Sequence, residues 1–110
     1  MRLFLYGTLL DAGRLARLAG DPRLPARLRP AALRGFRRVA GAGRYPTLVA
    51  ERTGRVEGAV LELSAAALAR LRAYEGPRYR LTPVRVETQA GPAAAFAWIA
   101  GATTRRPWEK

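Results

Sequence analysis

Hydrophobic positions along the chain follow two rhythms, and the switches between them mark the expected elements. Leu3-Phe4-Leu5 is an apolar run long enough for one buried strand, so Arg2 to Tyr6 is read as the first. The run breaks at Tyr6-Gly7-Thr8. Asp11 to Leu18 then places Leu15 and Leu18 three apart, the spacing of a short amphipathic helix, with Asp11 as its cap and Gly20-Asp21-Pro22 as its stop. Arg23 to Pro30 has no clear period and is read as a loop. Ala31 to Val39 carries Leu33, Phe36 and Val39 and is interrupted by Gly35, a weak strand. Gly41-Ala42-Gly43 is a flexible loop.

Pro46 imposes an extended approach to Thr47-Leu48-Val49 and suits only an edge strand or a strand's first residue. Arg52-Thr53-Gly54 reads as a hairpin turn. Arg55 to Leu63 is the next strand, where Gly58 signals a bulge or a close approach by another group. Ser64 is a suitable N-cap for an Ala-rich helix over Ala65 to Ala73, with Leu68 and Leu71 on its buried face. Gly76-Pro77 ends it. Tyr79 to Thr88 alternates Leu81, Val84 and Val86 with charged residues, and Pro83 puts part of that strand at an edge. Ala90-Gly91-Pro92 is a turn, and Ala93 to Ala100 the last strand.

The pattern gives five or six strands and two short helices, an α+β domain whose short strands can curl into a small barrel. Residues 1–102 form one domain and residues 103–110 a polar, mobile tail. Composition agrees: 49% of the residues are hydrophobic, too many for a disordered chain. No apolar run approaches membrane-spanning length, and the first residues lack the features of a signal peptide. The expected location is the cytoplasm.

Absences narrow the chemistry more than abundances do. With no His and no Cys, a Ser–His triad, thiol catalysis and the usual zinc ligand sets are excluded. Lys110 is the only lysine, so a buried Schiff-base lysine is excluded too. A base must be Asp, Glu or Tyr. Glu51 flanks the expected turn, Glu57, Glu62 and Glu87 alternate with apolar residues on strands, Asp11 and Asp21 sit at caps or turns, and Glu109 lies in the tail. Glu75 differs, standing at a helix C-terminus between Tyr74 and Gly76. On spacing alone it is a surface charge. Yet the helix dipole disfavours a carboxylate there, and a raised pKa is one reason to keep it. The turn at Gly7 is likewise open to two readings, a plain strand-to-helix connection or a cradle of N–H groups for an anion.

The net charge is +12, with arginine supplying all the basic residues but Lys110. These arginines are dispersed, and Phe4, Phe36, Phe96 and Trp98 lie in apolar strands rather than alternating with them on an exposed face. That argues for a solvated basic surface, suited to a small anionic ligand, and against nucleic acid.

Four segments carry a family resemblance. Leu5-Tyr6-Gly7-Thr8-Leu9 resembles the Tyr-Gly-Ser/Thr-Leu loop of the gamma-glutamylcyclotransferase-like superfamily, which includes AIG2-like and gamma-glutamylamine cyclotransferase branches. Tyr45-Pro46-Thr47-Leu48 is similar to its Tyr-Pro-x-Leu segment, and Gly54-Arg55-Val56-Glu57-Gly58 to its Gly-x-Val-x-Gly strand. Leu71 to Gly76, followed by Tyr79-Arg80, resembles Leu-Asp-x-x-Glu-Gly…Tyr-x-Arg, with Arg72 in place of the Asp. The four occur in family order from Leu3 to about Ile99.

The resemblance implies a small mixed β-barrel of five to seven strands with two or more flanking helices. It implies an enzyme that cyclises a gamma-glutamyl group to 5-oxoproline and releases an amine or amino acid, with neither a metal nor a cofactor. Glu75 would be its acid/base residue. Tyr6, Gly7, Thr8 and Leu9 would form its substrate loop. Tyr79 either binds substrate or packs in the core, and Tyr45 is structural. Arg72, Arg78 and Arg80 are expected to face solvent, since inward they would lower the Glu75 pKa. The expected partner is a small anionic gamma-glutamyl substrate, with no nucleic acid and no membrane, and the expected state a monomer or weak homodimer. The alternatives are a binding protein of the same fold without turnover, sensing a small metabolite, and a basic nucleic-acid-binding barrel.

Overall fold

A computed structural model describes residues 1–40, 46–77 and 79–100. Five strands close into a barrel in the order β1-β3-β2-β4-β5, where β1 is Arg2–Leu5, β2 Arg29–Ala40, β3 Pro46–Glu62, β4 Tyr79–Thr88 and β5 Gly91–Ala100. Neighbours are antiparallel except β1 and β5, which run parallel and meet at Leu3 and Phe96. The barrel is therefore mixed. Two helices, α1 (Ala12–Ala19) and α2 (Ala65–Glu75), pack against its outside.

Side-chain alternation divides the core in two. Leu3 and Leu5 point outward into a cluster with Leu15, Leu61, Leu63, Leu71 and Trp98, beneath the helices. Phe4 and Tyr6 point inward, with Leu33, Val56, Val60, Val86, Ala95 and Ala97. Strand β1 is thus buried on both faces, which is why it reads as an unbroken apolar run. Alanines from β2 and β5 leave space in the barrel for the Phe4 and Tyr6 rings, which stack with centroids 6.2 Å apart.

The helices form where caps and apolar spacing direct them. Asp11 accepts a bond from the Arg14 amide at 2.9 Å, and Gly20 closes α1 in the left-handed conformation. Ser64 accepts from the Ala67 amide at 3.1 Å. On α2 the buried residues are Ala67 and Leu71, while Leu68 packs half-buried beside them. The helix runs two residues beyond the expected Ala73, so Glu75 belongs to its last turn.

Three sequence expectations need correction. Arg52-Thr53-Gly54 is no hairpin turn, because β3 is continuous from Pro46 to Glu62. The pairing passes from Arg34–Arg55 to Phe36–Ala50, so residues 51–54 of β3 lie opposite Gly35 alone. This is a bulge, which uses the same small and polar residues as a turn. Gly35 takes φ +87°, and a side chain on Gly54 would overlap the Phe36 carbonyl. Second, the expected loop from Arg23 to Pro30 holds a short 3₁₀ helix, Leu24–Arg27, pinned by buried Leu24, and the beginning of β2. Third, Gly91 and Pro92 belong to β5 rather than to the turn, since Gly91 already pairs with Thr88.

Pro46 is the first residue of β3, and the Pro83 stretch of β4 pairs with β5 alone, β2 joining β4 only near Thr88. The Gly41-Ala42-Gly43 loop, Tyr45, Arg78 and the C-terminal tail lie outside the described residues.

Candidate functional site

One mouth of the barrel gathers the end of β1, the beginnings of β3 and β4 and the end of β5. Tyr6 follows β1 and turns its ring into the barrel, where it is buried. Its hydroxyl donates to the Trp98 carbonyl. The Thr47 side chain hydrogen-bonds the same phenol, and the Thr47 hydroxyl also accepts from the Ala100 amide at 2.8 Å. Burial, followed by the nearby Tyr79 and Glu75, pushes the Tyr6 pKa well above that of an ordinary phenol, with Thr47 and Arg38 offsetting part of the shift. Tyr6 therefore remains a protonated donor at neutral pH.

Glu75 reaches this mouth from the C-terminal turn of α2. Burial raises its carboxyl pKa from the ordinary 4.5 to about 7. The other carboxylates among the described residues are committed elsewhere: Glu51 to Arg37, Glu57 to Arg55, Glu62 to Arg2, Glu87 to Arg34 and Arg55, Asp11 to its cap and Asp21 to the Arg23 amide. Among the described residues Glu75 has no hydrogen bond or ion pair. Arg72 and Arg80 are exposed, as expected, and do not enter the causes of the Glu75 shift.

The loop after β1 is held from below. Leu9 is buried in the helix-side cluster, and the Leu10 amide donates to the Gly7 carbonyl at 3.0 Å. Thr8 and Leu9 open a 3₁₀ helix, Thr8–Leu10, so their amides have no acceptor within it. Tyr79, the first residue of β4, is half-buried against the helix-side core and close enough to Tyr6 to affect it electrostatically. Of the residues singled out from sequence, Tyr6, Glu75 and Tyr79 thus share one electrostatic neighbourhood, while Leu9 serves as the anchor of the loop. Thr47 and Arg38 were missed. For Thr47 the available signal was its place as the variable residue of the Tyr45–Leu48 motif, and it proves completely buried.

Two consequences can be measured. Thr47→Val strands the Ala100 amide and removes a partner of Tyr6, so it should cost about 1–3 kcal/mol in denaturant unfolding. Glu75 binds its proton more tightly folded than unfolded. Its contribution to stability is complete below pH 4.5 and is lost as pH rises through about 7. Unfolding titrations of wild type and Glu75→Gln should therefore diverge across that window. The variant should be more stable above pH 7 by on the order of 1–2 kcal/mol, a figure reduced for the carboxyl's partial exposure.

The solved structures of other proteins share this architecture. A solution structure of an Arabidopsis thaliana protein superposes with a TM-score of 0.79 at 26% identity, over 96% of this chain and 72% of that one. A gamma-glutamyl cyclotransferase superposes at 0.77 with 21% identity, over 92% of this chain and 66% of its own, so this chain spans just under two thirds of that protein. A mouse AIG2-like protein superposes at 0.70 with 20% identity, over 98% and 81%. No curated protein matches the sequence. The family model for gamma-glutamyl cyclotransferase, AIG2-like, matches residues 3–109. With nearly its whole length inside that match and the mixed barrel in place, the chain belongs to the AIG2-like gamma-glutamyl cyclotransferase family.

Proposed function

We propose that the protein cyclises a gamma-glutamyl group to 5-oxoproline, releasing an amine or amino acid, with Glu75 moving the protons. The observation that carries this reading is the Glu75 carboxyl, unpaired among the described residues, shifted by burial to about 7 and, like Tyr79, within electrostatic reach of the Tyr6 phenol. A group with that pKa accepts and returns a proton at neutral pH with little loss either way.

The substrate brings its own nucleophile. Its alpha-amine lies a few bonds from the gamma-carbonyl, and intramolecular attack in a held geometry supplies on the order of 7–11 kcal/mol. No side-chain nucleophile is required, consistent with a chain lacking Cys and His. Glu75 takes a proton from the alpha-ammonium, and the freed nitrogen bonds to the gamma-carbon. The C–N bond to the leaving nitrogen then breaks as Glu75 returns a proton to it. Over the cycle two protons pass from the attacking to the leaving nitrogen, and the carboxylate is restored. The Gly7–Leu9 amides serve either the alpha-carboxylate or the developing oxyanion. Tyr79 contacts the substrate, and Tyr6 fixes the mouth through Trp98 and Thr47.

Incubation of the purified protein with glutathione, gamma-glutamyl amino acids and gamma-glutamyl-lysine, followed by mass-spectrometric detection of 5-oxoproline, tests this. Release of 5-oxoproline from at least one is expected. Saturable binding of these compounds without product would replace the enzyme by a binding protein.

A further inference from the structure

The barrel has a second mouth, where β1, β2 and β5 begin and β3 and β4 end. Strand β1 runs from one mouth to the other, Arg2 at this end and Tyr6 beyond the far one. At about 3.3 Å per residue the two mouths are roughly 13 Å apart. A hollow of ≈ 630 Å³ opens here, within the size range of small-molecule sites.

Arg2, Arg27 and Arg29 line this hollow, with Glu62 as the only lining carboxylate among the described residues. Glu62 is already paired with Arg2 at 3.3 Å. Arg27 reaches Asp21 only at 4.0 Å, and Arg29 has no carboxylate partner among the described residues. Main-chain carbonyls hold two of the guanidiniums. Arg29 donates through Nη1 to Ala26 and Leu28, each at 3.0 Å, and Arg2 donates through Nη1 to Ala94 at 3.2 Å. A guanidinium has five N–H groups, so these bonds fix each fork and leave donors over. Solvated arginines on a basic surface would signify nothing. Arg2 and Arg29, exposed but tethered at the rim of a hollow with few carboxylates, are pre-organised for an anion. The apolar side of the hollow is supplied by Val60, Pro92 and Ala93.

We propose that this second mouth binds a small molecule bearing a compact dianionic group, a phosphate monoester or a pair of neighbouring carboxylates. Arg2, Arg27 and Arg29 hold the dianion; with the Met1 ammonium, which also pairs with Glu62, and Asp21, which reaches Arg27, the mouth is left with two positive charges for it to balance. Planar forks match both head groups. The body of the ligand lies along Pro92 and Ala93. The site is distinct from the Glu75 mouth and does not depend on the reaction proposed there.

Calorimetric titration with inorganic phosphate and with citrate, at constant ionic strength, tests the site and separates the two head groups. Saturable one-to-one binding of at least one anion is expected. The Kd should rise about ten-fold or more in Arg27→Ala/Arg29→Ala and stay within about two-fold in Glu75→Gln. Amide spectra of the wild type, which need no variant to fold, should shift at Gln89, Ala90 and Gly91 rather than at Gly7, Thr8 and Leu9. The proposal fails if neither anion saturates, if the double variant binds equally well, or if the shifts centre on Gly7–Leu9. It also fails if a single-stranded oligonucleotide binds more tightly than both anions with steep salt dependence, which would make this face a nucleic-acid surface.

Discussion

Glu75→Gln should lower kcat for gamma-glutamyl cyclisation by about 10²–10⁴-fold while leaving KM within a few-fold. Glutamine keeps the length and planarity of the side chain and can still occupy the half-buried end of α2, but it cannot take a proton from an ammonium group. The substrate should still bind, because its other proposed contacts are main-chain amides and Tyr79. Steady-state kinetics with 5-oxoproline as the readout decide the matter. Wild-type kcat/KM should rise with pH through an acid limb near 7, set by the free carboxyl, and that limb should vanish in the residual activity of the variant. Turnover at the wild-type rate by Glu75→Gln would remove the carboxyl from the reaction. A rise in KM with kcat unchanged would make it a binding group instead. The stability comparison above 7 distinguishes both outcomes from a misfolded variant, because the folded variant should gain stability there.

The parts of this arrangement legible in the sequence are those governed by local rules. Ser64 and Asp11 announced the helices they cap, and Gly58 the close approach it permits. Glu75 stood out because a carboxylate at a helix C-terminus works against the dipole, and its burial supplies the physical reason. What stayed hidden depends on residues distant in the chain. Closure of the barrel rests on Leu3 meeting Phe96, and no local pattern encodes that parallel contact. The long bulged β3 was divided in two because a bulge and a turn draw on the same residues. In the sequence Thr47 is only the variable residue of the Tyr45–Leu48 motif. Only the Ala100 amide and the Tyr6 phenol, brought to it by the fold, explain why a hydroxyl is buried there. Its role is set by tertiary partners, so propensity and period had nothing to report.

Gly58→Ala should destabilise the protein by at least about 3 kcal/mol, near the upper end of what overpacking costs. The β1–β3 pairing sets Leu5 opposite Ala59 and Phe4 opposite Val60, so Gly58 lies where β1 leaves the ladder. A methyl group on Gly58 would overlap the Leu5 carbonyl and come within 2.8 Å of the Phe4 ring. The first is backbone, and Phe4 is buried at 1% exposure, so neither has room to yield. The strain would pass directly into the Tyr6–Leu9 loop, and activity should fall with stability. Gly35→Ala provides the contrast. Gly35 has nothing within 4 Å of an added methyl but holds φ +87°, so its cost is conformational, about 1 kcal/mol. Paired denaturant melts should therefore rank Gly58→Ala well below Gly35→Ala. Equal losses would mean that β1 can slide along β3, and that the mouth holding Tyr6 and Glu75 is not set by this crossing.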